Sequence, residues 1–425
     1  MAPRAASTRA TSYPIPVLPL ATSLALLLGG VVLSGAPLGL GITVAAFGCA
    51  APSRSSNHAH RPCTTWTHHI RKGTTSEEPR TVGSGAAVLE LSRQQVLAHR
   101  RRVSALDERL ASSPRSLESA ATAGFQDSMP RGALLSIHAR VSGTGPGTWE
   151  EPPLVQVWGP RYSTFVIAEG DLAVFTIGRL PDEPKALHRA EDVADRLEAA
   201  LGEERMDCRD AARIVGLHPN ALRYAAPTGR FLIYWDGARQ PLIWSVPAPA
   251  VDPFDARLEL ARRYLHVFGP ATTDSFASWA GVRPKRANAI FDSLAAELIA
   301  VRTPVGEAWI LASDESAFRS ADGAASTRLL PSGDTYYLLQ GEDRVLLVPD
   351  AAQRSQLWTS RVWPGAVLLD GEIVGTWRRS GHKVTVHPWR PLTPAGHEAV
   401  EGEAASLPLP GVTRPIAVTW ESGIA

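Results

Sequence analysis

Three landmarks recur at one spacing. Gly216 and Gly281, Pro219 and Pro284, and Trp244 and Trp309 are each 65 residues apart without a gap. A fixed period over consecutive segments marks tandem copies of one supersecondary unit, and it restricts the chain to folds built by repetition. Each copy reads in the same order. In the first, Ala190–Leu201 is amphipathic, with Val193, Leu197 and Leu201 on one face, and Asp207–Val215 is a short helix ending at Gly216. His218-Pro219 opens a third helix through Tyr224, and Phe231–Trp235 with Pro241–Val246 forms a hairpin whose Asp236-Gly237 is a favoured turn. In the second, helices span Arg257–Phe268 and Thr272–Ala280, Gly281-Val-Arg-Pro284 opens a third through Leu294, and Leu298–Arg302 pairs with Glu307–Leu311.

The same design stands upstream. Ala-Gly-Phe around Gly124 matches Val-Gly-Leu at 215–217 and Ala-Gly-Val at 280–282. A glycine at that place lets the chain turn between the two helices of a helix-turn-helix. Ser92 and Gln95 stand in capping-box spacing before an apolar stripe of Val96, Leu97, Val103 and Leu106. Ser116–Ala123 gives a second helix, the segment after Gly124 a third, and Leu154–Trp158, Gly159-Pro160-Arg161 and Tyr162–Ile167 a hairpin. Three helices and a hairpin are the order of a winged helix. Beyond Ser326 the pattern turns to strands: Tyr336–Leu339, Val345–Val348, Ala366–Leu369, Glu372–Trp377 and Lys383–Val386, followed by a helix over Pro394–Leu407. The expected fold class is α+β. It comprises three tandem winged-helix units (88–185, 186–250 and 251–320) and a small antiparallel β-barrel or sheet (321–425).

Residues 1–87 lie outside this pattern. Pro14 to Ala51 carries no charged residue and is long enough to span a bilayer, which leaves two readings: a membrane anchor, or an upstream frame translated ahead of the true start. Residues 52–86 read as linker, and His58, His60, Cys63, His68 and His69 lack the fold a metal cluster needs, so no metal and no cofactor is expected. Residues 1–87 hold seven basic side chains against two acidic ones, so the patterned body is mildly acidic within a net charge of +1. A nucleic-acid binder of this charge must use a local basic groove. Three cysteines are too few for a disulfide framework, which favours a reducing cytoplasm.

The polar cluster Gln126-Asp127-Ser128, between Gly124 and Pro130, has no counterpart in the two later turns. One reading is local: Asp127 or Ser128 caps the following helix and Gln126 bonds backbone. The other is chemical: a glutamine amide orients a water while a neighbouring polar group assists. Candidate phosphate contacts follow from the winged-helix reading. Arg131 and Arg140 fall on the first third helix, Arg223 on the second, and Arg283, Lys285 and Arg286 on the third; Arg161 falls in a wing, and Arg378, Arg379 and Lys383 at a basic hairpin tip.

The runs Leu91–Leu97, Gly124–Arg131 with Ala139-Arg140, Leu154–Arg161, Phe175–Pro181 and Gly375–Arg379 resemble the winged-helix DNA glycosylases of the AlkZ and YcaQ type, in their actinobacterial branch, over about residues 88–420. The resemblance implies a partner, damaged double-stranded DNA. It also implies a monomer acting at the nucleoid, and metal-free hydrolysis of the N-glycosidic bond of an alkylated or crosslinked base. In that family the catalytic element is Gln-apolar-Gln or Gln-apolar-Asp after a glycine-apolar pair. Gln126 matches the first glutamine, Asp127 stands in the apolar place, and Ser128 stands where the second Gln or Asp is expected. Two functions are therefore open: a glycosylase using Gln126, Asp127 and Ser128, or a non-catalytic DNA-binding or regulatory protein that lost the second catalytic residue.

Overall fold

A computed structural model of the chain describes residues 88–421, apart from positions 130, 238 and 321–325. The apolar N-terminal stretch and the His58–His69 group lie outside the described residues. Among the described residues no helix is long and apolar enough to cross a membrane.

The element order is β1 (Leu89–Glu90), α1 (Arg93–Val103), α2 (Pro114–Ala120), β2 (Phe125–Gln126), α3 (Gly132–His138), β3 (Leu154–Trp158), β4 (Thr164–Ala168) and α4 (Leu172–Phe175). There follow α5 (Pro184–Leu201), β5 (Met206–Asp207), α6 (Cys208–Ile214), a 3-10 segment (Pro219–Thr228), β6 (Phe231–Tyr234) and β7 (Leu242–Ser245). The next group is α7 (Pro253–Phe268), α8 (Thr273–Ala280), α9 (Pro284–Ser293), β8 (Leu298–Thr303), β9 (Gly306–Leu311) and α10 (Glu315–Phe318). The chain closes with β10 (Thr327–Leu330), α11 (Asp343–Leu347), α12 (Ala351–Leu357), β11 (Gly365–Leu369), β12 (Glu372–Ser380), β13 (Lys383–Pro388), α13 (Pro394–Ala405) and β14 (Ala417–Trp420).

The architecture is α+β with three sheets. The turn glycines behave as the repeat requires: Gly124, Gly216 and Gly281 have φ of +66°, +64° and +71°, the left-handed region open to glycine at little cost. A Cβ on Gly124 would stand 3.1 Å from the side chains of Phe165, Ile167 and Phe175. Ser92 and Gln95 make the capping box at the start of α1. The three expected hairpins form, but they do not stay separate. β2-β4-β3-β6-β7-β5 is one six-stranded sheet, in which Gln156 of β3 sits opposite Ile233 of β6. The third hairpin, β8–β9, takes β1 as a parallel neighbour through Leu89↔Val301 and Glu90↔Arg302.

Other elements depart from expectation. The third helix of segment 186–250 is 3-10 throughout, held at its start by His218 Nδ1 accepting from Asn220 N–H, and containing Pro227, which cannot donate to a helical ladder. Tyr336–Leu339 and Val345–Val348 are not strands. The first lies in a 3-10 turn capped by Asp334 and the second belongs to α11. Runs of four apolar residues are compatible with either state, and only tertiary packing decides. The C-terminal sheet is β10-β11-β12-β13-β14, antiparallel except for the parallel β13–β14 pair, and no pairing of β10 with β14 closes it into a barrel among the described residues.

One core joins the three helix-and-hairpin segments. Leu97 of α1, Phe165 of β4, Leu260 and Leu265 of α7, Phe276 of α8, Ile290 of α9 and Leu368 of β11 belong to a single apolar cluster. A second cluster fills α5, α6 and β6–β7, and a third lies between the C-terminal sheet and α13 and receives Leu135 of α3.

Candidate functional site

The Gln126-Asp127-Ser128 tripeptide is the end of a strand, not the start of a helix. β2 pairs with β4 through Phe125↔Val166 and Gln126↔Phe165, and the Asp127 N–H continues the ladder by donating to the Thr164 carbonyl at 2.8 Å. In extended backbone successive side chains point to opposite faces. The exposures follow that rule: Gln126 is half-buried, Asp127 is 1% exposed, and Ser128 is exposed.

Asp127 is consumed by the scaffold. One carboxylate oxygen accepts the Ala133 N–H in the first turn of α3 at 3.0 Å, and the other accepts Gln156 Nε2–H at 2.7 Å. Arg131 at the N-cap position has φ +67° and no side-chain cap, so Asp127 caps α3 from outside it. Burial pushes the Asp127 carboxyl up to about 6, and the Ala133 N–H, the Arg131 charge and the Gln156 amide pull against that rise. Near neutrality it is an ion meeting two donors. Gln156 is itself fixed, because its Oε1 accepts the Trp235 N–H at 2.6 Å. Gly132 permits the close approach of helix to strand: a Cβ there would lie 3.2 Å from the Gln126 carbonyl oxygen.

Gln126 is held from a different side. Its Oε1 accepts from the Arg161 guanidinium at 2.8 Å, and Arg161 also donates to the Trp279 carbonyl at 2.9 Å. Arg161 and Tyr162 both have positive φ, +55° and +57°, in the turn between β3 and β4. Left-handed backbone costs a non-glycine residue roughly 1–2 kcal/mol, and such strain persists only where surroundings over-determine it. Here they do: Arg223 donates to the Tyr162 carbonyl at 3.1 Å, and the backbone of Arg161 packs on Gly281, where a Cβ would meet it at 3.1–3.2 Å. Burial lowers the Arg161 pKa. The C-terminal segment closes the third side. Gly333 faces Gln126 Nε2, and Thr335 Oγ1 donates to the Gly124 carbonyl at 3.0 Å.

The candidate phosphate contacts do not form one group. Arg140 leaves the set: it is 1% exposed, forked on Asp334 at 2.7 and 2.8 Å, and donates to the Ser136 carbonyl. It ties α3 to the C-terminal segment, and reaching a phosphate would break a buried ion pair. Arg161 and Arg223 are likewise committed to carbonyls around the strained turn. Arg131 lies over the Trp149 ring at 4.8 Å, which in turn stacks on Tyr234. Arg283, Lys285 and Arg286 line a cleft of about 670 Å³ with Tyr162 and Arg257. Lys285 is exposed, Arg283 pairs with Glu183, and Arg286 pairs with Asp182, its pKa lowered by burial to about 10. Arg378, Arg379 and Lys383 are exposed at the β12–β13 turn, as a basic hairpin tip requires.

Sequence reasoning misses Gln156, Gly333 and Asp334. Gln156 carries a signal, being polar on the same face of β3 as the buried Leu154 and Trp158; Gly333 and Asp334 lie some two hundred residues from the groups they hold, and nothing local marks them.

Comparison with known proteins places the chain in a family. Residues 120–408 match the family described as DNA glycosylase AlkZ-like, and the match includes the whole Gln126 site. Over 164 residues the chain is 30% identical to the interstrand DNA cross-link repair glycosylase of Streptomyces sahachiroi, covering 37% of this chain and 43% of that protein. The chain thus spans under half the length of the curated relative it matches. The fold is similar to the solved structure of Streptomyces sahachiroi DNA glycosylase AlkZ, with a TM-score of 0.64 and 18% identity, covering 78% of this chain and 100% of that one. The family match spans well over half of the sequence, and the chain belongs to the AlkZ-like DNA glycosylase family.

Proposed function

We propose that this protein excises damaged bases from duplex DNA by hydrolysing the N-glycosidic bond, with Gln126 positioning the attacking water. The observation that carries this reading is the alternation of the tripeptide. Gln126 ends the strand half-buried, Asp127 is buried, and Ser128 is exposed in the bend that follows, so the middle place of the family's Gln-apolar-Gln element is an interior place. Asp127 fills it as a capped ion and leaves the outer positions free for chemistry.

The balance of the reaction is simple. Water oxygen bonds to the sugar C1′, the glycosidic C–N bond breaks, the base leaves with the electron pair, and the proton shed by the water passes to solvent or to the departing base. Gln126 cannot take that proton, but its carbonyl oxygen has a second lone pair beside the one held by Arg161, and this can fix the water in line. Arg161 sets the amide's orientation from behind. The Ser128 hydroxyl stands two residues on, on the outer face, where it can share the water. The base must leave the duplex to be reached, so a lesion that weakens stacking or pairing is the favoured substrate. A crosslinked base as substrate rests on the kinship with the cross-link repair glycosylase, and an alkylated base is the simpler lesion of the same kind.

The three copies, 88–185, 186–250 and 251–320, are taken as winged-helix units, supported by the shared glycine geometry and the three hairpins, with 321–425 as a C-terminal β-domain. The protein acts as a monomer on nucleoid DNA in the cytoplasm. Phosphate contacts come from Arg283, Lys285 and the Arg378–Lys383 tip, not from Arg140. A second reading has one observation in its favour. The only carboxylate of the tripeptide is turned inward, and Ser128 is no base, which suits a DNA-binding protein without catalysis.

Release of methylated purines from alkylated duplex, and unhooking of an interstrand cross-link, decide between them. Gln126→Ala is expected to reduce release at least 100-fold, the scale of a lost positioning or acid–base group, with duplex affinity kept. Equal release by the wild-type and Gln126→Ala proteins, or none by either across both substrates, overturns the catalytic reading and leaves the second.

A further inference from the structure

His99, His266 and Asp314 are far apart in sequence and lie on three elements. His99 is on α1, His266 in the last turn of α7, and Asp314 in the 3-10 turn before α10. One ring nitrogen of each histidine and a carboxylate oxygen of Asp314 all lie within 4.8 Å of one another. Asp314 Oδ2 and Oδ1 stand 3.0 and 3.1 Å from His266 Nδ1, close to the separation of two ligands on one tetrahedral ion with bonds of about 2 Å.

The second shell is already built. His99 Nε2 is 3.0 Å from the His266 carbonyl oxygen. A carbonyl can only accept, so Nε2 carries the hydrogen and Nδ1 is the bare nitrogen. That Nδ1 is buried and has no hydrogen-bond partner. A histidine donating one N–H to a backbone carbonyl while offering the other nitrogen as a lone pair is the usual state of a metal-ligating imidazole. Phe318 of α10 stacks on the His99 ring at 3.7 Å and fixes its plane. There is also a way in. His266 is partly exposed and lines a surface cleft with Glu118, Asp171 and Glu259, while His99 and Asp314 lie behind it.

We propose that His99, His266 and Asp314 form a binding site for a divalent transition-metal ion of the zinc class, with the remaining coordination position open to the cleft. Two imidazoles and one carboxylate suit borderline ions and disfavour magnesium and calcium, which prefer all-oxygen shells. The site joins the first copy of the repeat to the third and is separate from Gln126, so its role is to fasten α1 to α7.

The test is a titration of the full-length protein, stripped with EDTA, with Co²⁺ and then Zn²⁺. One equivalent of Co²⁺ is expected to give the visible d–d absorption of a low-symmetry four-coordinate site, and Zn²⁺ to remove it and raise the melting temperature. His266→Ala removes a partly exposed ligand and keeps His58, His60, Cys63, His68 and His69, so it corrects for binding by the N-terminal residues. It is expected to weaken the equivalent roughly 100-fold or more, and Asp314→Asn to do likewise, with circular dichroism of both unchanged. No d–d band in the wild-type protein, or a band equally strong in His266→Ala, overturns the proposal. Base release by the Gln126 site is not part of the readout.

Discussion

Replacing Arg140 by alanine strips Asp334, a carboxylate with 1% exposure, of the guanidinium that holds both its oxygens. What remains on it is the Tyr336 N–H at 2.9 Å. The Ser136 carbonyl loses its donor, and the Phe125 ring loses the cation 5.3 Å from its centre. Breaking one side of a buried ion pair costs about 3–5 kcal/mol, because the charge left behind is uncompensated. A protein of ordinary stability has about 5–15 kcal/mol in total, so Arg140→Ala should unfold at a clearly lower urea concentration. Arg140→Lys keeps the charge but loses the fork and should fall between. A double variant, Arg140→Met with Asp334→Leu, removes both charges and should cost less than the sum of the two single changes, since the pair is coupled. Urea unfolding followed by tryptophan fluorescence reads all six proteins: wild type, Arg140→Ala, Arg140→Lys, the double variant and its two single changes. Duplex binding at several salt concentrations supplies the contrast. Arg140→Ala should leave the salt slope unchanged while it is folded, whereas alanine at Arg378, Arg379 and Lys383 should lower the slope by roughly one per lost phosphate contact and leave stability within about 0.5 kcal/mol. An Arg140→Ala protein with wild-type stability and a reduced salt slope would refute the assignment of Arg140 to the scaffold.

Two buried groups give stability opposite dependences on pH. The Asp127 pKa is raised in the fold to about 6, so its contribution is full below the unfolded value near 3.8 and is lost as pH rises to about 6, an effect of up to about 3 kcal/mol; Asp127→Asn should gain on wild type across that window, and a constant difference between the two would contradict it. Burial, helped by the Arg109 and Arg328 charges, lowers His138 to about 4, so its contribution is full above the unfolded value near 6.5 and is lost as pH falls to about 4; His138→Gln should flatten that acid limb in urea titrations. Ser128→Asp places a carboxylate in the second outward position beside Gln126 and should raise base release roughly tenfold or more; no rise, with duplex affinity intact, would count against the alternation argument.

The parts of this fold that read correctly from sequence are those where one residue type is demanded by local geometry. Gly124, Gly216 and Gly281 take left-handed φ, Ser92 and Gln95 cap α1, and the hairpins pair as their alternation requires. The parts that do not are set by distant partners. Val345–Val348 is apolar in either state, and it is helical where Leu346 packs with Leu91, Val96 and Phe318. The six-stranded sheet depends on one contact between Gln156 and Ile233, which no local pattern announces. The candidate site divides in the same way. Gln126 stands out in sequence because the later turns lack it, but Arg161 as its orienter follows only from a strained turn stacked on Gly281, 120 residues away. His99, His266 and Asp314 are invisible as a group for the same reason.

The position of Asp127 bears on what the family's element is for. The middle residue of the three is buried here, and an apolar side chain would satisfy that place by filling it. A carboxylate can stand there only if both oxygens meet donors, and two are present: the free N–H at the start of α3 and the Gln156 amide, locked by Trp235. The substitution therefore changes how the interior is satisfied and leaves Gln126 half-buried and Ser128 exposed. It also adds something an apolar residue lacks. An ion anchored to α3 and β3 together couples the strand carrying Gln126 to the helix that follows it, and Gly132 lets the two come close enough for that coupling. In the proposed mechanism the departure that matters for chemistry is then Ser128, whose exposed hydroxyl can share a water but cannot take its proton.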